Sequence, residues 1–406
     1  MHSDCIILGG GASGLAACAA LAKTGMRITL IERLNRVGKK IMAAGNGRCN
    51  LSNENMGPAF YGDAAPFVQI VYAQTPPGEV LGFFSDLGLM TASEEGRIYP
   101  RTMMASSVLD VLRAACEREN VTIFTEEEAL SLTPSRRGGW SVQLASGEGV
   151  FAPVVLCAMG GSASAHLGTD GAGVRLLKTL GHSANMQYPA LVQLKCDHPS
   201  LRSLKGIRVQ AALTLETGGH TAAQETGELL FADYGVSGVC VFQLSGLAAQ
   251  ALGEKKAVRL LVHLLPEVHD VDAWLEGRIA SRPELTALNL FTGVFPRLLT
   301  MAILKQANIP PDAQASRLRS AQLGALAQAI AAFPLPVTGT QGFKNAQVTR
   351  GGIALCEVEP KTMASRLFDG LYILGETLDV DGPCGGYNLH FAFASALTAA
   401  KAVASR

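Results

Sequence analysis

The chain lacks a surplus of charge of either sign. Its 406 residues hold 34 Lys and Arg against 34 Asp and Glu. Proteins that grip phosphate backbones carry a basic excess, so no nucleic-acid partner is expected. The nine cysteines, an odd number, include no CxxC pair, which argues against a disulfide framework and a zinc ribbon. Free, mostly buried thiols in a reducing compartment are the expectation. No metal site is expected either, because the His residues are scattered without ligand spacing. Long apolar runs are also missing. Residues 5–22 are uncharged, but Gly9, Gly10, Gly11, Ser13 and Gly14 interrupt them, and no Lys or Arg precedes them. That pattern suits neither a signal peptide nor a membrane helix, so the reading is a soluble, cytoplasmic chain with no membrane partner. Oligomeric state is not legible. Charged residues make up only 17% and hydrophobic ones 48%, which excludes a disordered chain.

Glycine is abundant, at 44 residues, where roughly 28 would be average. The excess falls in short clusters with no repeat, as in loops that line a ligand with backbone. The length calls for two or three domains, or one domain with insertions.

The first cluster explains itself. Cys5-Ile6-Ile7-Leu8 suits a strand buried on both faces. It runs into GGGASG at 9–14, which fits GxGxxG, then an Ala/Leu-rich helix to Lys23, then a strand over 27–31 ending at Glu32. Gly9 permits the turn, Gly11 lets backbone approach a pyrophosphate, and Gly14 lets helix and strand pack. The helix amino end offers N–H groups to phosphate. Glu32, 23 residues after Gly9, is placed to accept ribose hydroxyls. This predicts a dinucleotide without a 2′-phosphate, and does not separate NAD from FAD. Residues 33–50 carry five cationic side chains and no acid. Their GNGRCN tail reads as a second backbone-rich loop, which a long flavin dinucleotide needs; a solvated basic face is the alternative.

Two further segments point to the same cofactor. Residues 153–161 form a strand ending in Gly160-Gly161, and Val121–Phe124 reads as a sheet strand, with Glu128, Ala129 and Leu130 beside the adenine. Near the C-terminus a strand over 371–374 meets Gly375, Glu376 and Asp379, then Gly385-Gly386-Tyr387-Asn388 opens a helix over 389–404 with Asn388 as its cap. Asp379 suits ribityl hydroxyls, and a helix amino end beside a flavin stabilises charge gained on reduction. Cofactor pieces at both ends make the middle an insertion. The predicted fold class is α/β, a Rossmann-like FAD-binding domain of the two-dinucleotide-fold flavoprotein type. Its expected extent is 1–189 with 345–406. A β-rich insertion is expected over 190–265 and 334–344, and a small helical one over 266–333, with the substrate at their junction with the flavin.

These residues closely resemble a family of bacterial NAD(P)/FAD-dependent oxidoreductases that includes aminoacetone oxidase-type enzymes and a bile-acid enone reductase. The matching segments are 9–14, 45–50 (GNGRCN), 96–100 (GRIYP), 227–238 (GELLFADYGVSG), 348–352 (VTRGG), 360–363 and 375–388. The resemblance implies FAD contacts at Gly11, Ser13, Gly14, Glu32, Arg33, Lys40, Gly47, Arg48, Cys49, Asn50, Ala129, Gly375, Glu376, Asp379, Gly386, Tyr387 and Asn388; Gly9 and Gly160 join them on the strand-end argument. Asn46, Met159, Val239 and His390 depart from the family's usual Gly, Thr, Pro and Gln.

Catalytic candidates are few. His390, two residues into the final helix, and Tyr387 are the expected ones; a structural role is the alternative for each. Arg97, Tyr99 and Arg101 suit an anionic or carbonyl substrate or ordinary surface pairing. Asp233 and Tyr234 are possible proton donors. Cys49 invites a dithiol role, but Glu54 stands where a second Cys is needed. The expected function is an FAD-dependent enzyme passing a hydride between flavin and a small organic substrate, as NAD(P)H-fed reduction of a conjugated C=C. With no second GxGxxG, NAD(P)H would visit only transiently. Alternatives are an amine oxidase using O2, a non-catalytic flavin sensor, and an RNA-modifying flavoprotein, which the balanced charge disfavours.

Overall fold

The structure, a computed structural model, describes residues 2–135 and 138–406. The chain divides into two compact units, Met1–Gln187 with Gln347–Arg406, and Tyr188–Ala346.

The first unit is built on a parallel sheet. Its strands are β1 (Cys5–Leu8), β2 (Ile28–Ile31), β3 (Val121–Phe124), β4 (Val154–Cys157) and β5 (Leu371–Ile373). Their order is β5-β4-β1-β2-β3, with the short antiparallel pair Val358–Glu359 and Ala364–Ser365 extending the β5 edge. β1, β2, β4 and β5 are buried along their whole length, which is why they read as unbroken apolar runs. Helix α1 (Ala12–Leu21) follows β1 and packs on α2 (Tyr387–Ala404). Both are rich in alanine, so their axes approach closely. α1 ends in a 3₁₀ turn, Ala22–Thr24, closed by Gly25.

The second unit is a closed six-stranded antiparallel barrel. Arg208–Thr217 and His220–Ala232 form its long hairpin, and Phe333–Thr340 returns from the helices to seal it. The β-rich and helical stretches, expected as separate insertions, lie together in this one compact unit. Leu213, Leu260 and Leu335 of the barrel share one hydrophobic core with Leu275, Leu299, Ile303 and Ile330 of the helices. Short amphipathic helices have too little apolar face to close a core alone.

Among the described residues no helix is long and apolar enough to cross a membrane. Seven of the nine cysteines are buried, and no disulfide joins any of them among the described residues.

Candidate functional site

The chain leaves β1 toward β2 and β3 on one side, then returns as β4 on the other. The carboxyl ends of β1 and β4 therefore flank a topological switch point, where open α/β sheets hold ligands. The glycine loop after β1 divides its labour there. A Cβ on Gly9 would stand 2.5 Å from the Ala158 carbonyl oxygen at the end of β4, and one on Gly14 would collide with the Gly9 carbonyl oxygen. Around Gly11 an added Cβ would meet nothing within 4 Å among the described residues. Two glycines are thus needed for packing, and the middle one keeps space open at the amino end of α1. No side chain caps that end, so its first-turn N–H groups remain for a ligand.

Glu32 lies at the end of β2 and is only 8% exposed. Its Oε2 accepts from Gly10 N and its Oε1 from Leu34 N, each at 2.9 Å. The carboxylate shapes the glycine loop, and each oxygen keeps a second lone pair for a hydroxyl donor. The segment leading to Ala129 lies alongside, because Glu127 N donates to Glu32 O and Arg33 reaches Glu128 at 3.8 Å. Arg33 also pairs with Asp170 at 2.9 Å.

A partly buried hub joins four segments at the same rim. Thr349 is fully buried. Its Oγ1 accepts from Ser162 N at 2.8 Å and Ala163 N at 2.9 Å, just beyond Gly160. Its N–H donates to Glu376 Oε1 at 2.9 Å, and Glu376 Oε2 pairs with Lys40 Nζ at 2.7 Å. Lys40 and Glu376 were expected here; Thr349 was visible only as part of the VTRGG motif.

The C-terminal segment closes the other side. Gly375 N donates to Ser395 Oγ of α2 at 3.0 Å, and a Cβ on Gly375 would stand 2.8 Å from Ser13 Oγ of α1. Asp379 Oδ2 accepts from Asn185 at 2.6 Å. Asn388 does not cap α2, contrary to expectation. Gly386 is the cap residue, at φ 100°, where a side chain would be strained. Asn388 faces back instead: its Oδ1 accepts from Gly382 N and its Nδ2 donates to Gly382 O, both at 2.8 Å, which fixes the preceding loop. The GNGRCN loop is drawn against this cap. A Cβ on Gly386 would stand 2.7 Å from Asn50 Oδ1, an atom that is buried without a partner among the described residues. An orphaned acceptor beside the free N–H groups of an eighteen-residue helix is the complement of a ring edge with alternating donors and acceptors, as on an isoalloxazine. The residues present fit FAD: Gly11–Ser13 would meet its phosphates, Glu32 a ribose, and Asn50 with the start of α2 the polar edge of its ring.

Other expected residues stand differently. Cys49 is fully buried, and burial pushes its thiol up to about 12. A protonated, enclosed thiol does not perform dithiol exchange. Arg48 lies over the Tyr99 ring at 4.4 Å and pairs with Glu94, so it braces the Gly47 turn from outside. Asp233, in the second unit, pairs with Lys205 at 2.6 Å on the surface. Tyr387 is buried, with its hydroxyl donating to Asn55 O at 3.2 Å and its ring 4.6 Å from Phe60. His390 is 0% exposed. Its Nδ1 bonds Ser52 Oγ at 2.8 Å, its ring meets Tyr72 edge-on, and its Nε2 is buried without a partner among the described residues. Both expected catalytic side chains therefore point into packed protein. The helix face they occupy is fixed by tertiary packing that the local sequence does not display.

His390 carries a pH consequence. Burial pushes its pKa down from the ordinary 6.5 to about 4. Between those values the unfolded chain binds a proton that the native chain does not, so stability rises with pH through this window and is lost as pH falls through it. His390→Gln is expected to remove up to about 3 kcal/mol of acid sensitivity. Urea midpoints of the two proteins at pH 7 and pH 4 check this; parallel losses would contradict it.

Switch point, glycine cradle and orphaned acceptor together define a Rossmann-domain flavoprotein of the oxidoreductase class. The chain belongs to the HI0933-like family, whose Rossmann-domain model matches residues 3–402. It is 40% identical over 405 residues to a 3-dehydro-bile acid delta(4,6)-reductase of Clostridium scindens, covering 98% of each chain. It is 29% identical to a ribosomal RNA dihydrouridine synthase of Escherichia coli, covering 98% of this chain and 97% of that one. In fold it resembles a 3-ketosteroid delta1-dehydrogenase of Sterolibacterium denitrificans, with TM-score 0.53, 12% identity and coverage of 100% and 99%. It also resembles a flavocytochrome c3 fumarate reductase, with TM-score 0.52, 14% identity and coverage of 100% and 78%.

Proposed function

We propose that the protein is an FAD-dependent oxidoreductase that adds hydride to a C=C bond conjugated with a carbonyl in a small organic substrate, fed by NAD(P)H. The observation that carries this reading is the full-length identity of 40% to a delta(4,6)-reductase of 3-dehydro bile acids. The second relative's product, dihydrouridine, also arises by saturating a C=C next to a carbonyl. The shared chemistry is therefore conjugate reduction, not amine oxidation. Bound FAD supplies a hydride carrier that can be refilled. The chain's own residues do the rest. The first turn of α1 and Glu32 anchor the adenosine and phosphate end. The Lys40–Glu376–Thr349 hub fixes the strand-end loops so that the ring seat is preorganised. His390 and Tyr387 back the start of α2 from inside. A cytoplasmic location, where NAD(P)H is at hand, goes with this reading.

An anaerobic titration tests it. NADH or NADPH is expected to bleach the yellow protein, and a steroid-type dienone to restore the colour, while the saturated ketone does not. Bleaching by amines alone would overturn it. Recolouring by ribosomal RNA but not by the dienone would assign the substrate to the RNA class, against the balanced charge of 34 and 34.

A further inference from the structure

Conjugate reduction needs a proton as well as a hydride. Most acidic groups at the strand-end rim are committed or enclosed. Glu32 holds two backbone N–H groups. Glu376 is paired with Lys40, and Asp379 with Asn185. Tyr387 donates to Asn55 O, and the Cys49 thiol is fully buried. His390 is enclosed, and burial holds its ring neutral above about pH 4, so it offers no imidazolium as an acid.

Asp381 differs. It lies between Val380, which is buried, and Gly382, which Asn388 clamps on both sides. Its position is therefore set to the loop that leads into α2. Its side chain is 20% exposed, neither sealed nor free, and both carboxyl oxygens stand 3.4 Å from Nη1 of Arg350, itself 27% exposed. Arg350 follows Thr349 of the hub, and residues 353 and 377–379 are joined by backbone bonds from Ile353 N to Thr377 O and from Asp379 N to Ile353 O. The pair is thus fixed to the same rim as the ring seat.

We propose that Asp381, paired with Arg350, is the catalytic residue that supplies the proton in the conjugate reduction proposed above, on which this inference rests. Hydride arrives at the carbon β to the carbonyl, and the π electrons shift toward the carbonyl oxygen. The O–H bond of Asp381 then breaks, and its proton forms the second C–H bond, at the α carbon. The two electrons originate from NAD(P)H, which ends as NAD(P)+. The carboxylate left behind is stabilised by Arg350 and regains a proton from solvent through its exposed edge. The charges facing Asp381 suit this cycle. Burial raises its pKa from 3.8 to about 6, with Asp379 and Glu376 adding repulsion and Arg350 opposing them. A donor poised near working pH both keeps and releases its proton.

The test compares wild type, Asp381→Asn and Asp381→Glu, each with its FAD content measured by absorbance. NAD(P)H-reduced protein is mixed without oxygen with a dienone, and recolouring is timed. Asp381→Asn is expected to bleach at the normal rate but recolour ~100-fold more slowly, while Asp381→Glu recovers part of the rate. Wild-type recolouring is expected to fall as pH rises above about 6, and the Asn variant to lose that dependence. Wild type recolouring while Asp381→Asn matches it would overturn the proton-donor role alone. Wild type failing with every conjugated carbonyl would overturn the reduction itself, and this role with it.

Discussion

Gly14→Ala is expected to yield a chain whose first unit does not fold. The added methyl would stand far inside contact distance of the Gly9 carbonyl oxygen. That oxygen is backbone, and the loop around it is held on both sides. Gly9 N donates to Ile31 O at 2.8 Å, and Ala158 N, just past β4, donates to Leu8 O at 2.8 Å. Relief would require α1 to move off the sheet, where it packs with Leu15 and Leu21 fully buried. Such a collision belongs with the rare substitutions costing more than about 4 kcal/mol. Thermal unfolding followed by circular dichroism checks it; a melting temperature within a few degrees of wild type would contradict the packing argument.

Gly11→Val makes the complementary case, three residues away. Its Cβ enters space where, chain neighbours aside, no described atom lies within 4 Å, so the folded chain without cofactor should melt like wild type. FAD uptake should nevertheless disappear, a weakening of more than ~1000-fold, or about 4 kcal/mol. The valine would stand between the pyrophosphate and the N–H groups at the amino end of α1. On this expectation Gly14 is required by the fold and Gly11 by the ligand.

Much of this cradle was legible in residues 5–32. A strand buried on both faces leaves an unbroken apolar run, and a turn that must admit both a ligand and a helix leaves glycines at fixed offsets. The C-terminal segment was legible for the same reason. What escaped depends on contacts distant in sequence. Asn388 looks like a helix cap because Asn caps helices locally; that it clamps Gly382 instead follows from the turn at Gly386, which presses on Ser52. His390 sits on an apolar helix, and only the packing of Ser52 and Tyr72 shows it is enclosed. Thr349 is an ordinary strand residue until Ser162, Ala163 and Glu376 arrive around it. The helical stretch of the insertion has its own periodicity but not its own core.

One FAD is expected to be held where β1 and β4 part. The most direct measurement is a fluorescence titration of FAD into cofactor-stripped wild type and Gly11→Val. Saturable quenching at one FAD per wild-type chain, absent in an equally folded Gly11→Val chain, is the predicted result. Wild type that takes up no FAD, or a valine variant that binds it as tightly, would contradict the account.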